Sequence, residues 1–143
     1  MTHSLVRPMT IEDYPRVLAV WQASEGVGLS SADSRESITG YLARNPGHSF
    51  VAEVDGALVG AVLCGHDGRR GYIHHLAVHP DYRRRGIGRE LTAHCLAALR
   101  EAGIQKCHLF VFGENGNGRQ FWQDIGWTER GELVLMSRTT ATD

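Results

Sequence analysis

Residues 79–91 read His-Pro-Asp-Tyr-Arg-Arg-Arg-Gly-Ile-Gly-Arg-Glu-Leu. Arg83, Arg84, Arg85 and Arg89 gather positive charge around Gly86, Ile87 and Gly88, where an apolar helical pattern begins. A helix start exposes unpaired N–H groups and a partial positive charge. Glycine lets backbone approach an anion closely, and guanidinium groups add charge-assisted hydrogen bonds. The chemistry this run suits is phosphate binding. A solvated arginine turn ahead of a helix is the competing reading of the run by itself.

Two nucleotide motifs are excluded. A phosphate loop of the GxxxxGK[ST] type needs a Lys that does not follow here. A dinucleotide fingerprint needs a third glycine where Leu91 stands. His74, His75 and His79 cluster just upstream, but no carboxylate or Cys completes a metal site at ligand spacing, so no metal is expected. Cys95 lies on an apolar helix face and Cys107 opens a strand, so both read as core rather than as nucleophiles.

The elements that must position the arginine turn follow from periodicity. A short strand is expected over residues 4–7, then a helix over 10–23 capped by Thr10, with Pro15 in or near its first turn. A Gly- and Ser-rich loop carrying Glu25 and Asp33, acids that read as solvated or as an attraction for a cationic amine, leads to a second helix, residues 35–45, capped by Ser34. Period-two strands follow at 49–54, 57–66 and 72–78, joined by Asp55-Gly56 and by Asp-Gly-Arg-Arg-Gly. Apolar positions Ile87, Leu91, Cys95, Ala98 and Leu99 mark a helix that Gly103 stops. A buried strand over 106–112, a short helix over 116–125 and a last strand over 132–137 complete the chain. The fold class is α/β (α+β): one domain over residues 1–143, mixed and mostly antiparallel, with the strands at 72–78 and 106–112 parallel across a helical crossover. In a strand, alternation places His74 and His75 on opposite faces, so one of them at most points into any cleft there.

The chain has 143 residues and a formal net charge of −1, so it lacks the overall field that gathers nucleic acid. Any anion site is therefore local. Three cysteines with wide spacings argue against a disulfide framework and for a cytoplasmic location. No secretory signal and no apolar stretch of membrane-spanning length is seen.

The stretch His-Leu-Ala-Val-His-Pro-Asp-Tyr-Arg-Arg-Arg-Gly-Ile-Gly resembles the acyl-CoA-binding motif of the GNAT superfamily of N-acyltransferases, with Arg83, Gly86 and Gly88 on the pattern Q/R-x-x-G-x-G/A. A second block, residues 115–127, resembles that family's N-x-x-A-x-x-x-Y-x-x-x-G-F: Asn115 and Gly126 match, while Gly118, Trp122 and Trp127 replace Ala, Tyr and Phe. The resemblance implies a GNAT-like domain whose two parallel central strands splay around acyl-CoA. It places Leu76, Ala77 and Val78 along the pantetheine, the amides of residues 84–89 on the pyrophosphate, and the amide near Leu76 on the thioester carbonyl. Asn115 would keep a cofactor or capping hydrogen bond, and Trp122 would pack on pantetheine or core.

The same resemblance implies an acetyl-CoA-dependent N-acetyltransferase acting by direct transfer to a small-molecule or peptide amine, with a homodimer as one possible assembly. Many members carry a Glu on the strand where His74 and His75 stand, so either imidazole becomes a candidate proton relay, His75 the preferred one. Trp122 has no hydroxyl to protonate a leaving thiolate. A non-catalytic acyl-CoA sensor is the alternative.

Overall fold

β1 (Ser4–Pro8) pairs antiparallel with β2 (Phe50–Val54), opening a five-stranded sheet of order β1-β2-β3-β4-β5. The computed structural model describes residues 4–141. They form two compact units, one running through Phe112 and one from Gly113 onward. In the first unit β3 (Ala57–His66) and β4 (Gly71–Val78) continue the antiparallel meander, and β5 (Cys107–Leu109) adds parallel to β4. This is the α/β, mixed-sheet architecture the periodicity predicts. Asp55 and Gly56 both take positive φ, 50° and 83°, as a two-residue hairpin between right-twisted strands requires.

Helices cover both faces of the sheet. α1 (Tyr14–Gln22) is preceded by a 3-10 turn at Ile11–Asp13, so Thr10 heads that turn rather than the α-helix itself. Pro15 sits in the first turn of α1, where its missing N–H costs no helical bond. α2 (Arg35–Arg44) is capped by Ser34, whose hydroxyl accepts from the Ser37 amide at 3.1 Å. Val17, Val20 and Trp21 of α1 and Ile38 of α2 pack with Val51, Ala61, Leu63 and Ala77 of the sheet, all buried. The opposite face is closed by α3 (Ile87–Glu101) through Ile87, Leu91, Cys95 and Leu99. Gly60 and Gly71 let α3 lie close: a Cβ would stand 3.1 Å from Leu91 Cδ1 at the first and 2.6 Å from Leu99 Cδ1 at the second.

The second unit contains α4 (Gly116–Asp124), capped by Asn115, whose Oδ1 accepts from the Gly118 amide at 3.0 Å. Trp122 packs edge-on against Trp127 at 5.1 Å and beside Phe121.

Three expectations are corrected. The strand expected over residues 106–112 is ordered as a strand only at Cys107–Leu109, is half-buried rather than buried, and leaves Phe110 and Phe112 more than half exposed. Residues 132–137 are not a strand: among the described residues no partner strand pairs with them, and Leu133, Val134, Leu135 and Met136 are exposed. An apolar run without a neighbouring strand has no ladder to enter. His74 and His75 do not obey simple alternation. Ala61 pairs with Ala77 and Leu63 with His74, so Val62 alone opposes both His75 and Leu76. His75 occupies this β-bulge with φ 53°, the left-handed region.

Candidate functional site

The turn after β4 is built to present amides. A short 3-10 turn at Pro80–Tyr82 follows, with His79 accepting from the Asp81 amide. Arg83 Nε donates to the Val78 carbonyl at 3.0 Å and ties the turn back to the strand end. Arg84 and Gly86 both take left-handed backbone, φ 64° and 80°. Such residues next to right-handed ones curl successive N–H groups toward one concavity, the geometry of anion-binding nests. α3 then begins, and its first bond back to the turn runs from the Glu90 amide to the Gly86 carbonyl at 3.0 Å. Among the described residues the amides of Arg83, Arg84, Arg85, Gly86, Ile87, Gly88 and Arg89 donate to no protein acceptor. Gly86 is open above: a Cβ there would meet no atom within 4 Å. Arg83, Arg84, Arg85 and Arg89 are exposed, with Arg85 lying 5.1 Å over the Tyr82 ring.

The strand pair leading to this turn is forked. Gly71, Tyr72 and Ile73 pair with Cys107, His108 and Leu109, and parallel pairing stops there. Among the described residues no strand pairs with the β5 side of β4 from His74 to Val78. Leu76, Ala77 and Val78 lie on this open edge, where the Val78 carbonyl is already taken by Arg83 Nε. Unpaired backbone groups of this kind are satisfied by solvent or by an extended ligand that adds to the strand.

The histidines sit where the fork opens, and the bulge brings both to the α1–α2 side of the sheet. His75 Nε2 lies 2.9 Å from Asp33 Oδ1. The His75 ring packs edge-on against Trp21 at 5.1 Å, and Trp21 Nε1–H donates to the His75 carbonyl at 2.9 Å. His74 lies 6.5 Å from His75, between Tyr41, Tyr72 and Phe110. Burial, and then the neighbouring His75, hold the His74 pKa below the ordinary imidazole value, so His74 is neutral at pH 7.

His74 also lines a cavity of about 280 Å³ with Tyr41, Arg44, Asn45, His66, Asp67 and Tyr72. Burial pushes the Tyr41 hydroxyl up, so it is a phenol and a hydrogen-bond donor throughout the neutral range. Gly65 is needed here: a Cβ would stand 2.5 Å from Asn45 Cγ and 2.7 Å from the Tyr41 hydroxyl.

Asp33 is the residue whose role the sequence conceals. As a loop acid it reads as solvated or as an attraction for a cation, but it is buried and paired with a side chain 42 positions away. The pattern Ser-x-x-Asp at Ser30 is the available signal: Asp33 Oδ2 accepts from the Ser30 amide at 2.9 Å, which fixes the carboxylate locally. Of the residues singled out by sequence, those from His74 to Arg89 belong to the first unit, whereas Asn115 and Trp122 belong to the second, where they cap and pack α4.

A model of the Acetyltransferase (GNAT) family matches residues 14–127. The chain is 34% identical over 110 residues to "Acetyltransferase ECA0875" of Pectobacterium atrosepticum, covering 77% of each protein. In fold it is similar to the aminoglycoside N-acetyltransferase AAC(6')-Iy in complex with CoA, with a TM-score of 0.76 and 20% identity over 99% of this chain and 97% of that one. It is also similar to the PaiA N-acetyltransferase of Thermoplasma acidophilum in complex with coenzyme A, with a TM-score of 0.77 and 20% identity over 88% and 90% of the two chains.

Proposed function

The chain belongs to the acetyltransferase (GNAT) family, and from that premise we propose that it is an acetyl-CoA-dependent N-acetyltransferase, with residues 1–143 acting as one catalytic domain in the cytoplasm. The observation that carries this reading is the coincidence of two features at one strand end. β4 loses its neighbour after Ile73, and the turn that follows holds a run of unpartnered amides under open space at Gly86. An extended amide-bearing pantetheine adds to the free edge at Leu76, Ala77 and Val78, and the pyrophosphate rests on the amides of residues 83–89, with Arg83, Arg84, Arg85 and Arg89 adding charge.

The acceptor is a small primary amine or peptide N-terminus. The cavity that His74 lines, about 280 Å³, falls just under the ~300–1,000 Å³ typical of sites for drug-sized ligands; His75 stands outside its lining, with its ring 6.5 Å from that of His74. An alkylammonium titrates near ~10, so a proton must leave before nitrogen attacks. That first proton leaves to solvent, and His75 accepts the second N–H proton as the C–N bond forms. The amine nitrogen bonds to the thioester carbonyl carbon in a ternary complex, the amide near Leu76 stabilises the developing oxyanion, and the C–S bond breaks. Trp122 offers no acid, so the thiolate takes a proton from water. Asn115 and Trp122 cap and pack α4 within its own unit.

Calorimetric titration with acetyl-CoA tests the donor site, and CoA release across a panel of benzylamine, spermidine, kanamycin and a short unblocked peptide tests transfer. Expected are saturable binding and turnover with at least one amine. Gly86→Val, which demands a left-handed backbone from a β-branched residue and fills the open space, is expected to weaken binding at least roughly tenfold, about 1.4 kcal/mol. No binding at high micromolar acetyl-CoA overturns the reading. Binding without turnover on any amine favours the acyl-CoA sensor instead.

A further inference from the structure

A left-handed backbone at a non-glycine residue costs energy and persists only where its surroundings hold it. At His75 that hold comes from two elements outside the strand. Trp21 of α1 donates to the His75 carbonyl at 2.9 Å, and Asp33, at the end of the 3-10 turn Ser31–Asp33, sits 2.9 Å from Nε2. Asp33 is itself held rigidly. Its Oδ2 accepts from the Ser30 amide at 2.9 Å, its backbone carbonyl accepts from the Tyr14 hydroxyl at 2.7 Å, and the residue is only 7% exposed. A buried carboxylate oxygen needs a donor, so Nε2 of His75 carries hydrogen toward Asp33. In the neutral imidazole the lone pair then lies on Nδ1. Among the described residues Nδ1 of His75 has no partner, and it is not a buried orphan, so it is open to solvent or substrate.

We propose that Asp33 is a positioning residue for acetyl transfer: it fixes His75 as the Nε2–H tautomer and leaves Nδ1 to take the proton from the acceptor amine. The proposal rests on the acetyltransferase reading above. Atoms and charge balance in the step. The N–H proton of the amine passes to Nδ1, Nε2–H stays bonded to Asp33, and the imidazolium so formed is paired with that carboxylate. The carbonyl carbon exchanges its C–S bond for the new C–N bond. His75 returns its proton to solvent before the next turnover.

Nitrogen-15 NMR of the wild-type protein labelled at histidine reads the tautomer directly, and Asp33→Asn tests its cause. The carboxamide that this substitution introduces can donate to Nε2 and so favours the Nδ1–H form. Expected in the wild type at the pH of maximal activity is the Nε2–H signature for His75. Expected in Asp33→Asn is a shift to Nδ1–H, with kcat falling roughly 10²–10⁴-fold on the fastest amine of the panel and acetyl-CoA affinity unchanged. A wild-type His75 found as Nδ1–H overturns the proposal even if the variant does not fold. So does a variant that shifts tautomer yet keeps kcat within about threefold, or one that loses kcat with no change of tautomer. A protein that binds no acetyl-CoA fails the acetyltransferase reading, while the tautomer measurement still reports on Asp33 alone.

Discussion

His74 is neutral because it is half-buried among aromatic rings and faces a second imidazole, His75. Its folded pKa therefore lies below the ~6.5 of an unfolded chain. The stability consequence has a definite sign. Between those two values the unfolded state binds the proton more readily, so stability falls as pH drops below about 6.5. His74→Gln, which cannot charge, is expected to flatten that fall, and urea unfolding at about pH 7.5 and 5.5 measures it; equal losses in variant and wild type would assign the effect elsewhere. The thiols behave differently. Burial pushes Cys107 up to about 12, so it holds no thiolate at neutral pH and an acyl-cysteine route has no nucleophile there. At this scale the sequence shows residue types but not partners. Arg83, Gly86 and Gly88 mark the turn proposed to bind an anion, and they are legible because their chemistry is local. The left-handed His75 is invisible to alternation, and Asp33 meets it only through the fold.

The bulge in β4 depends on α1. Trp21 is 1% exposed, its ring packs on His75 and its indole N–H holds the His75 carbonyl. Trp21→Phe removes that bond and some volume, and is expected to cost about 1–3 kcal/mol in chemical denaturation. It is also expected to lower kcat more than acetyl-CoA affinity, because the residues proposed to hold the pyrophosphate, 83–89, lie beyond the bulge; an equal loss in both would show the two to be one unit. The meander, the Asp55-Gly56 hairpin, the Ser34 cap and the span of α3 were legible because turn chemistry and periodicity act over a few residues. The short β5 was not, since where parallel pairing ends depends on what the strand meets. Nor was the unpaired run over residues 132–137, whose apolar, β-prone composition becomes a strand only beside another strand.

Across the whole molecule, a net charge of −1 leaves no long-range attraction for a polyanion. Among the described residues no helix is long and apolar enough to cross a membrane. On the proposed reading the donor is held by short-range amide and guanidinium contacts around residues 83–89, so its affinity is expected to weaken with added salt without being abolished. Everything rests on that turn and on the open edge of β4. The most direct measurement is a titration of the nitrogen-15-labelled protein with acetyl-CoA, followed at the backbone amides. The expected result is saturable shifts concentrated at residues 83–89 and at Leu76, Ala77 and Val78, with smaller changes in α2 and β1. Saturable binding that leaves those amides unmoved, or no binding at millimolar acetyl-CoA, would contradict the account.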